Sequence, residues 1–168
     1  TDIKNTMNEA VLIADSLREV ARIQQAAEEK DIVLDIGLRI NPLFSYPDGD
    51  PMPAKYGIDA EDAAELIRNN PYSNVRINGL HIHLRSQSLD MEGLASYYKN
   101  IFVVAERLQT VSPVEFDYLN MGSGMGITYS AEDEALDIPA LAVTVCEEAA
   151  AFAQKYRLPA WITAQARK

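Results

Sequence analysis

The chain has 168 residues, of which 48% are hydrophobic and 24% charged, a composition that predicts a globular domain or part of one. Its 15 Lys and Arg against 25 Asp and Glu give a formal charge of −10, which opposes binding to nucleic acid or to anionic membrane surfaces. No stretch approaches the roughly 18 uninterrupted apolar residues of a membrane span, and the polar start is not a signal peptide. Because the chain begins with Thr1 instead of Met, we expect it to be an excerpt.

The first half of the sequence alternates short apolar runs with helical patterns. Val11 to Asp15 predicts a strand, and the capping box Ser16-Leu-Arg-Glu19 predicts the start of a helix. The helical spacing behind that box is carried by Leu17, Val20, Ala21, Ile23 and Ala27. Val33 to Ile40 predicts a second strand, and Asp59 is the predicted cap of a helix from Ala60 to Arg68. The segment Asn41 to Gly57 between them holds Pro42, Pro47, Pro51 and Pro53 and predicts a long irregular loop, a kind that is often functional.

The same alternation continues in the second half. The predicted elements are a strand from Ile77 to Leu84, a helix from Met91 to Leu108, a strand from Val114 to Met121, a helix from about Ile138 to Tyr156 and a strand from Ala160 to Thr163. One face of the first of these helices carries Leu94, Tyr98, Ile101 and Ala105. Cys146, in the second helix, is the only cysteine. A single thiol makes no internal disulfide, which favours a reducing, cytoplasmic location.

Strands that are apolar on both faces and alternate with helices predict an α/β fold with a parallel sheet. The mean repeat is about 37 residues, and a closed eight-stranded parallel β/α barrel of the TIM type would need about 300 residues at that spacing. On that interpretation the chain supplies about five of eight strands. An open doubly wound sheet would be complete at this length, and periodicity alone does not separate the two.

Polar residues collect where the predicted strands end, which is the edge where parallel α/β folds place their sites. These residues are Asp15, Ser16, Arg39, Asn41, His83, Ser86, Asn120, the run Gly122-Ser-Gly-Met-Gly126 and, after the last strand, Arg167. The glycine run lets backbone N–H groups close on an anion such as phosphate. It lacks the lysine of a P-loop and the Gly-x-Gly-x-x-Gly spacing, so a plain turn is an equal interpretation.

Both histidines of the chain lie in Gly79-Leu-His-Ile-His-Leu-Arg-Ser-Gln87. His81 and His83 share one face of their strand because side chains alternate with period two. Three interpretations are open for the isolated pair: a metal site, structural packing, or contact with a bound ring. The chain has no third histidine, which counts against a metal.

The combined motifs resemble the barrel domain of the fold-type III pyridoxal-phosphate enzymes, in particular the diaminopimelate and ornithine decarboxylases. The matching segments are Gly37-Leu-Arg-Ile-Asn-Pro42, Lys55-Tyr-Gly-Ile58, Gly79 to Gln87 and Leu119-Asn-Met-Gly-Ser-Gly-Met-Gly-Ile-Thr-Tyr129. They stand in family order and within a similarity that runs from about Leu12 to Arg167. The Asn-Pro and Lys-Tyr-Gly-Ile segments are closer to the diaminopimelate enzymes.

The resemblance implies pyridoxal 5'-phosphate as the cofactor and assigns roles to individual residues. It implies that His83 stacks on the cofactor ring and that Ser86 bonds the phosphate end. Gly122, Ser123 and Gly124 match the family's phosphate cradle. The two arginines that match the family are Arg39, on an active-site strand, and Arg167, in the family's Glu-Pro-Gly-Arg segment. His81 is interpreted as structural.

The sequence also departs from the family pattern. The family's Schiff-base lysine lies in a Lys-Ala context on the first barrel strand, which this chain does not contain. The segment Ala164-Gln-Ala-Arg167 has alanine where the family has the acid that keeps the pyridine nitrogen protonated, a change that weakens the electron sink. Arg85 replaces a glycine of the family's His-x-Gly-Ser-Gln motif. We therefore expect residues 1–168 to be a partial barrel domain, with the family's upstream strands and C-terminal β domain outside it.

For the parent protein, the resemblance implies decarboxylation of a small amino acid, in a cytoplasmic homodimer with shared sites. We expect the chain alone to be inactive because it lacks the lysine. Two alternatives are a pyridoxal-phosphate-dependent racemase on the same barrel and a degenerate barrel that binds a phosphate compound or a protein without catalysis. Ala164 and Arg85 motivate the second alternative.

Overall fold

The computed structural model describes residues 11–42, 44, 55–122 and 124–156. Within them the chain forms the strands β1 (Leu12–Ala14), β2 (Leu34–Asn41), β3 (Ile58–Asp59), β4 (Val75–His81) and β5 (Tyr118–Asn120). The helices are α1 (Leu17–Glu28), α2 (Ala60–Arg68), α3 (Met91–Val111) and α4 (Ile138–Tyr156). None of the described helices is long and apolar enough to cross a membrane.

The strands form one sheet in which every pairing is parallel. Its order is β1-β2-β4-β5, with the two-residue β3 paired to the end of β2. Each new main strand is added on the same side of the previous one, so the described sheet has no point at which the strand order reverses. An open doubly wound sheet requires such a reversal. The order therefore selects the barrel interpretation, and the predicted α/β class with a parallel sheet is confirmed.

In the described part of the chain, the helices pack on one face of this sheet. On that face Ala14, Leu38, Leu80 and Ile82 are fully buried. They pack against the apolar sides of the helices, which include all four residues predicted on the face of α3, Leu94, Tyr98, Ile101 and Ala105. The opposite face carries half-buried residues such as Arg39, His81 and His83. One packed face and one partly open face are what a curved part of a barrel presents.

Two element starts show how local sequence sets the helices. Ser16 caps α1, and its Oγ accepts the backbone N–H of Glu19 at 3.2 Å, as the capping box predicts. The Glu19 carboxylate accepts from the backbone of Asp15 at 2.6 Å, one residue earlier than in a regular box. Asp59 stands at the cap of α2 but makes no side-chain cap bond. Its carboxylate instead accepts from Asn41 Nδ2 at 2.7 Å, which ties β3 to β2.

Several predicted boundaries differ from the observed ones. β4 begins earlier and ends earlier than the predicted strand at residues 77–84, and β5 is shorter than the predicted strand at 114–121. The short strand β3 was not predicted, since two residues carry no periodic pattern. α2 and α4 match their predicted bounds. The predicted strand at residues 160–163 and most of the proline-containing loop lie outside the described residues.

Candidate functional site

A row of polar side chains crosses the sheet at the carboxyl ends of four strands. Arg39 on β2 is paired in register with His81 on β4, and His81 with Asn120 on β5. Ala14 pairs with Leu38, so the next residues along the two strands, Asp15 and Arg39, lie side by side. Because neighbours in a parallel sheet point to the same side, this row lies on the face that the helices leave open.

Arg39 is held from two sides. Its Nη1 lies 3.1 Å from Asp15 Oδ1 in an ion pair whose side chains are 21% and 35% exposed. Its guanidinium carbon lies 4.9 Å from the centroid of the Tyr56 ring, which is a cation–π distance. The two contacts hold the guanidinium in place on the open face of the sheet.

His81 lies next to this pair and has an altered titration. Burial lowers the pKa of His81 below its ordinary value of 6.5, the charges of Arg39 and His83 lower it further, and Asp15 opposes them. Both effects disfavour the imidazolium form. His81 is therefore a neutral imidazole at neutral pH.

Tyr118 fills the layer beneath the row. A β-bulge between Ile36 and Gly37 brings Gly37 opposite Gly79 on the neighbouring strand. The Tyr118 ring lies across both glycines, because a Cβ at Gly37 would come 2.2 Å from its hydroxyl and one at Gly79 would come 2.2 Å from Cζ. The hydroxyl is buried without a partner among the described residues, and burial raises the pKa of Tyr118 to about 12.

His83 follows the end of β4 and lies between the two loops of the carboxyl edge. Its Nε2 is 3.1 Å from Ser86 Oγ. Its Nδ1 is buried without a hydrogen-bond partner in the described part of the chain. Gly122, at φ +58°, packs against the ring so closely that a Cβ there would lie 2.5 Å from Nδ1. The glycine is thus required both by its backbone conformation and by the histidine beside it.

The loop after β4 and the glycine loop after β5 run alongside each other as a short parallel bridge at Ser88 and Met125. Ser88 N donates to Gly124 O at 2.9 Å, and Gly126 N donates to Ser88 O at 2.7 Å. Gly124, at φ +66°, has the Arg85 carbonyl 3.0 Å from where its Cβ would be. Asn120 Oδ1 accepts from Gly122 N at 3.0 Å and fixes the start of the glycine loop. These contacts join the two predicted motifs into one surface.

Five of the predicted site residues lie at this edge: Arg39, His83, Ser86, Gly122 and Gly124. Ser123 and Arg167 lie outside the described residues. The sequence did not single out Tyr56 or Tyr118. Tyr118 was detectable, because period two from Asn120 places it on the same face. Tyr56 was not detectable from the sequence, because its contact with Arg39 forms only when β3 pairs with β2.

The described residues contain no group of three or more His, Cys, Asp or Glu that could hold a metal ion. The two histidines instead make separate contacts. His83 bonds Ser86 and packs on Gly122, whereas His81 lies in the row with Arg39 and Asn120.

A singly wound parallel α/β sheet, with a glycine loop and polar side chains at its carboxyl edge, defines the class of barrel proteins that bind ligands at that edge. Within this class the chain belongs to the pyridoxal-dependent decarboxylases. The model of their pyridoxal binding domain matches residues 2–162. Membership confirms the family that the motifs indicated and the predicted cofactor, pyridoxal phosphate.

Individual relatives agree with this assignment. The chain is 31% identical to the diaminopimelate decarboxylase of Methanothermobacter thermautotrophicus over 130 residues, which are 74% of this chain and 29% of that protein. It is 31% identical to the Thermoplasma acidophilum enzyme of the same name over 118 residues, or 67% and 29% of the two chains. The fold is similar to the crystal structure of the Helicobacter pylori diaminopimelate decarboxylase complexed with L-lysine, with a TM-score of 0.69, 22% identity and coverage of 82% and 36%. The chain thus spans about a third of the length of these proteins.

Proposed function

We propose that the protein to which this chain belongs is a pyridoxal-phosphate-dependent amino-acid decarboxylase of the diaminopimelate type. In this proposal residues 1–168 form the part of its barrel that holds the cofactor. The observation that carries the proposal is the contact between His83 and the glycine loop at the carboxyl edge of the sheet. Family membership and the diaminopimelate decarboxylases among the relatives support it.

Two features of the described residues fit the cofactor. The glycine loop has two left-handed residues, Gly122 and Gly124, a backbone conformation that favours glycine. Such loops bind phosphate through backbone N–H groups. The imidazole of His83 has its position set by Ser86 and Gly122 and is partly exposed toward the open face of the sheet. A planar ligand can therefore lie against the imidazole while its phosphate reaches the glycine loop.

The residues of this chain then have distinct roles. His83 would lie against the cofactor ring, and Ser86 with the backbone of Gly124 would bind the phosphate. Gly122, whose N–H donates to Asn120 Oδ1, would shape the loop beside them. Arg39 presents a cation whose position is held by Asp15 and Tyr56. The bound cofactor supplies the electron sink that takes the electron pair when the substrate carboxylate leaves as carbon dioxide.

The test uses the natural gene product, purified with pyridoxal phosphate, reduced with borohydride and weighed intact. We expect one cofactor fixed to a lysine, and carbon dioxide released from diaminopimelate by the unreduced protein. The 168-residue chain, as its matched control, is expected to show no turnover. Interconversion of the stereoisomers of diaminopimelate without carbon dioxide release would identify a racemase instead. A gene product with no adduct and no turnover would contradict the proposal and favour the noncatalytic barrel.

We infer that the parent protein is a homodimer, as the resemblance to the family implies. We also infer that it is cytoplasmic, because the single cysteine favours a reducing location. Two large apolar side chains beside the glycine loop support a partner surface there: Ile127 is 63% exposed and Tyr129 is 78% exposed. Sedimentation of the gene product should give the mass of two chains. A monomer at micromolar concentration would contradict the inference.

A further inference from the structure

We propose that Gln87 is a positioning residue of the cofactor site, which holds the glycine loop against the loop that carries His83 and Ser86. The inference deepens the proposed function and rests on it. Gln87 directly follows Ser86 in the loop after β4. Its side chain reaches the segment after the glycine loop, where Oε1 accepts the backbone N–H of Ile127 at 3.3 Å. Its Nε2 donates to the hydroxyl of Tyr129 at 2.7 Å.

The backbone of Gln87 has a left-handed conformation, with φ +63°. Residues with a Cβ rarely adopt this conformation, and it persists where the surrounding contacts fix it. Glycine would take the same conformation without strain but would make neither side-chain hydrogen bond. The strain at Gln87 is therefore offset by contacts that only a side chain provides, and those contacts join the two loops.

Gly126 shows how closely the two loops approach each other at this point. A Cβ on Gly126 would lie 2.9 Å from the carbonyl carbon of Gln87 and 3.0 Å from the carbonyl oxygen of Ser88. Both are backbone atoms, which do not move aside as a flexible side chain does. Gly126 makes no proposed contact with the cofactor, and this close approach accounts for its missing side chain. The backbones of the two loops meet at Gly126, and the exposed side chain of Gln87 connects them at the surface.

The segment that Gln87 reaches is also held from its other end. Asp133 Oδ2 accepts the backbone N–H groups of Tyr129 and Ser130, each at 2.8 Å. The Tyr129 side chain is 78% exposed, so its bond to Gln87 is a contact between two loops and does not result from core packing. A loop that is already held in its bound position loses less entropy when a ligand binds, which raises the affinity. Gln87 thus favours cofactor binding through the glycine loop, without contact with the cofactor.

The experiment measures the Kd for pyridoxal phosphate by equilibrium dialysis on the natural gene product, for Gln87→Met, Tyr129→Phe and the double variant. Methionine has a similar length and keeps the strain of a Cβ, but it makes neither hydrogen bond. We expect Gln87→Met, which removes two neutral hydrogen bonds, to raise the Kd about tenfold, and Tyr129→Phe, which removes one, to raise it about threefold. The double variant should bind as Gln87→Met does, because both changes remove the same bond.

Gln25→Met is the matched control. Gln25 is an exposed glutamine on α1 whose Nε2 donates to Glu29 Oε1 at 3.1 Å, so the substitution also removes an exposed side-chain hydrogen bond. It should leave the Kd for pyridoxal phosphate unchanged. Thermal unfolding verifies that each variant is folded.

The outcomes separate this inference from the proposed function. If the unsubstituted protein binds pyridoxal phosphate and Gln87→Met binds it equally well, the inference is wrong although the proposed function stands, even where the variant unfolds more easily. If the effects of Gln87→Met and Tyr129→Phe multiply in the double variant, the two side chains act separately and the inference is again wrong. If the unsubstituted protein does not bind pyridoxal phosphate, both the inference and the proposed function are contradicted.

Discussion

At the scale of single residues, His81 and its neighbours give the site a defined charge state. Arg39 is cationic, Asp15 is its partner and His81 is neutral because burial and nearby cations lower its pKa. The groups that face His81 from the adjoining strand ends are Asp15, Arg39 and His83. Strand register places Arg39 beside His81, and the ion pair with Arg39 holds Asp15 next to them.

This arrangement predicts how His81 titrates. We expect its pKa below 6.5, and we expect Asp15→Asn to lower it further, because the carboxylate that favours the imidazolium is removed while Arg39 remains. Histidine-ring NMR over pH measures both values. Asp35→Asn is the matched control, since Asp35 pairs with Arg76 in a different ion pair at the opposite end of the strands. An unshifted His81 in the Asp15 variant would contradict the electrostatic account.

The sign of the stability effect follows from the same shift. Below 6.5 the unfolded chain binds a proton that the folded chain resists, so His81 destabilises the fold as the pH falls through that value. Above pH 6.5 His81 is neutral in both the folded and the unfolded chain, so it no longer changes the free energy of unfolding. Replacing His81 with Gln should therefore reduce the loss of unfolding free energy on acidification, as measured by urea unfolding at several pH values.

Gly122 is the residue on which the His83 contact depends most. We expect Gly122→Ala to destabilise the fold by about 1–3 kcal/mol, the usual cost of a non-glycine residue in such a backbone conformation. The added Cβ also needs the space of His83 Nδ1, 2.5 Å away, so the imidazole must move. Chemical denaturation measures the first effect and the His83 ring signals the second. Gly93→Ala, within α3, is the control and should be at least neutral. An unchanged stability and an unchanged His83 signal in Gly122→Ala would refute the packing.

At the scale of elements, the sheet is shaped by the meeting of Gly37, Gly79 and Tyr118. The bulge aligns the two glycines, and their missing side chains admit the tyrosine ring from β5. Three strands are thereby fixed together just below the polar row. The layer supports the polar row above it.

The layer predicts opposite effects for two substitutions. Tyr118→Phe should leave stability unchanged or raise it, because the buried hydroxyl has no partner among the described residues and its desolvation is not compensated. Gly79→Ala should destabilise the fold strongly, because the new Cβ would lie 2.2 Å from the Tyr118 ring. Urea unfolding of both variants measures these changes in the free energy of unfolding. A loss of stability in Tyr118→Phe would reveal a hydrogen bond that this account does not include.

The sequence predicted the elements better than their contacts. α2 and α4 were predicted at their observed bounds, and the apolar face of α3 was correct, because helical periodicity is a local property. The start of α1 was also predicted correctly, from the capping residue Ser16. The end of β4 and the existence of β3 depend on pairing with β2, which is distant in sequence. His83, Ser86 and the glycine loop were predicted at one edge because each follows a predicted parallel strand. The contacts of Tyr56 and Tyr118 were not predicted, because they join residues distant in sequence.

At the scale of the whole molecule, the described sheet is open at both β1 and β5. A strand with unpaired backbone groups pairs readily with another chain. We therefore expect the 168-residue chain, expressed alone, to self-associate with a dependence on concentration. Sedimentation velocity over a range of concentrations measures this. A stable monomer would contradict the interpretation as part of a barrel.

The proposed function requires a pyridoxal phosphate ring that lies against His83. The chain contains two histidines, so the histidine-ring NMR spectrum of the 168-residue chain has two sets of signals, which the single variants His81→Gln and His83→Gln assign. The spectrum is recorded below the concentration at which sedimentation detects self-association. On addition of pyridoxal phosphate we predict a large ring-current shift for His83 and a smaller one for His81. If both sets of signals stay unchanged at millimolar pyridoxal phosphate in a folded chain, the ring does not lie against His83.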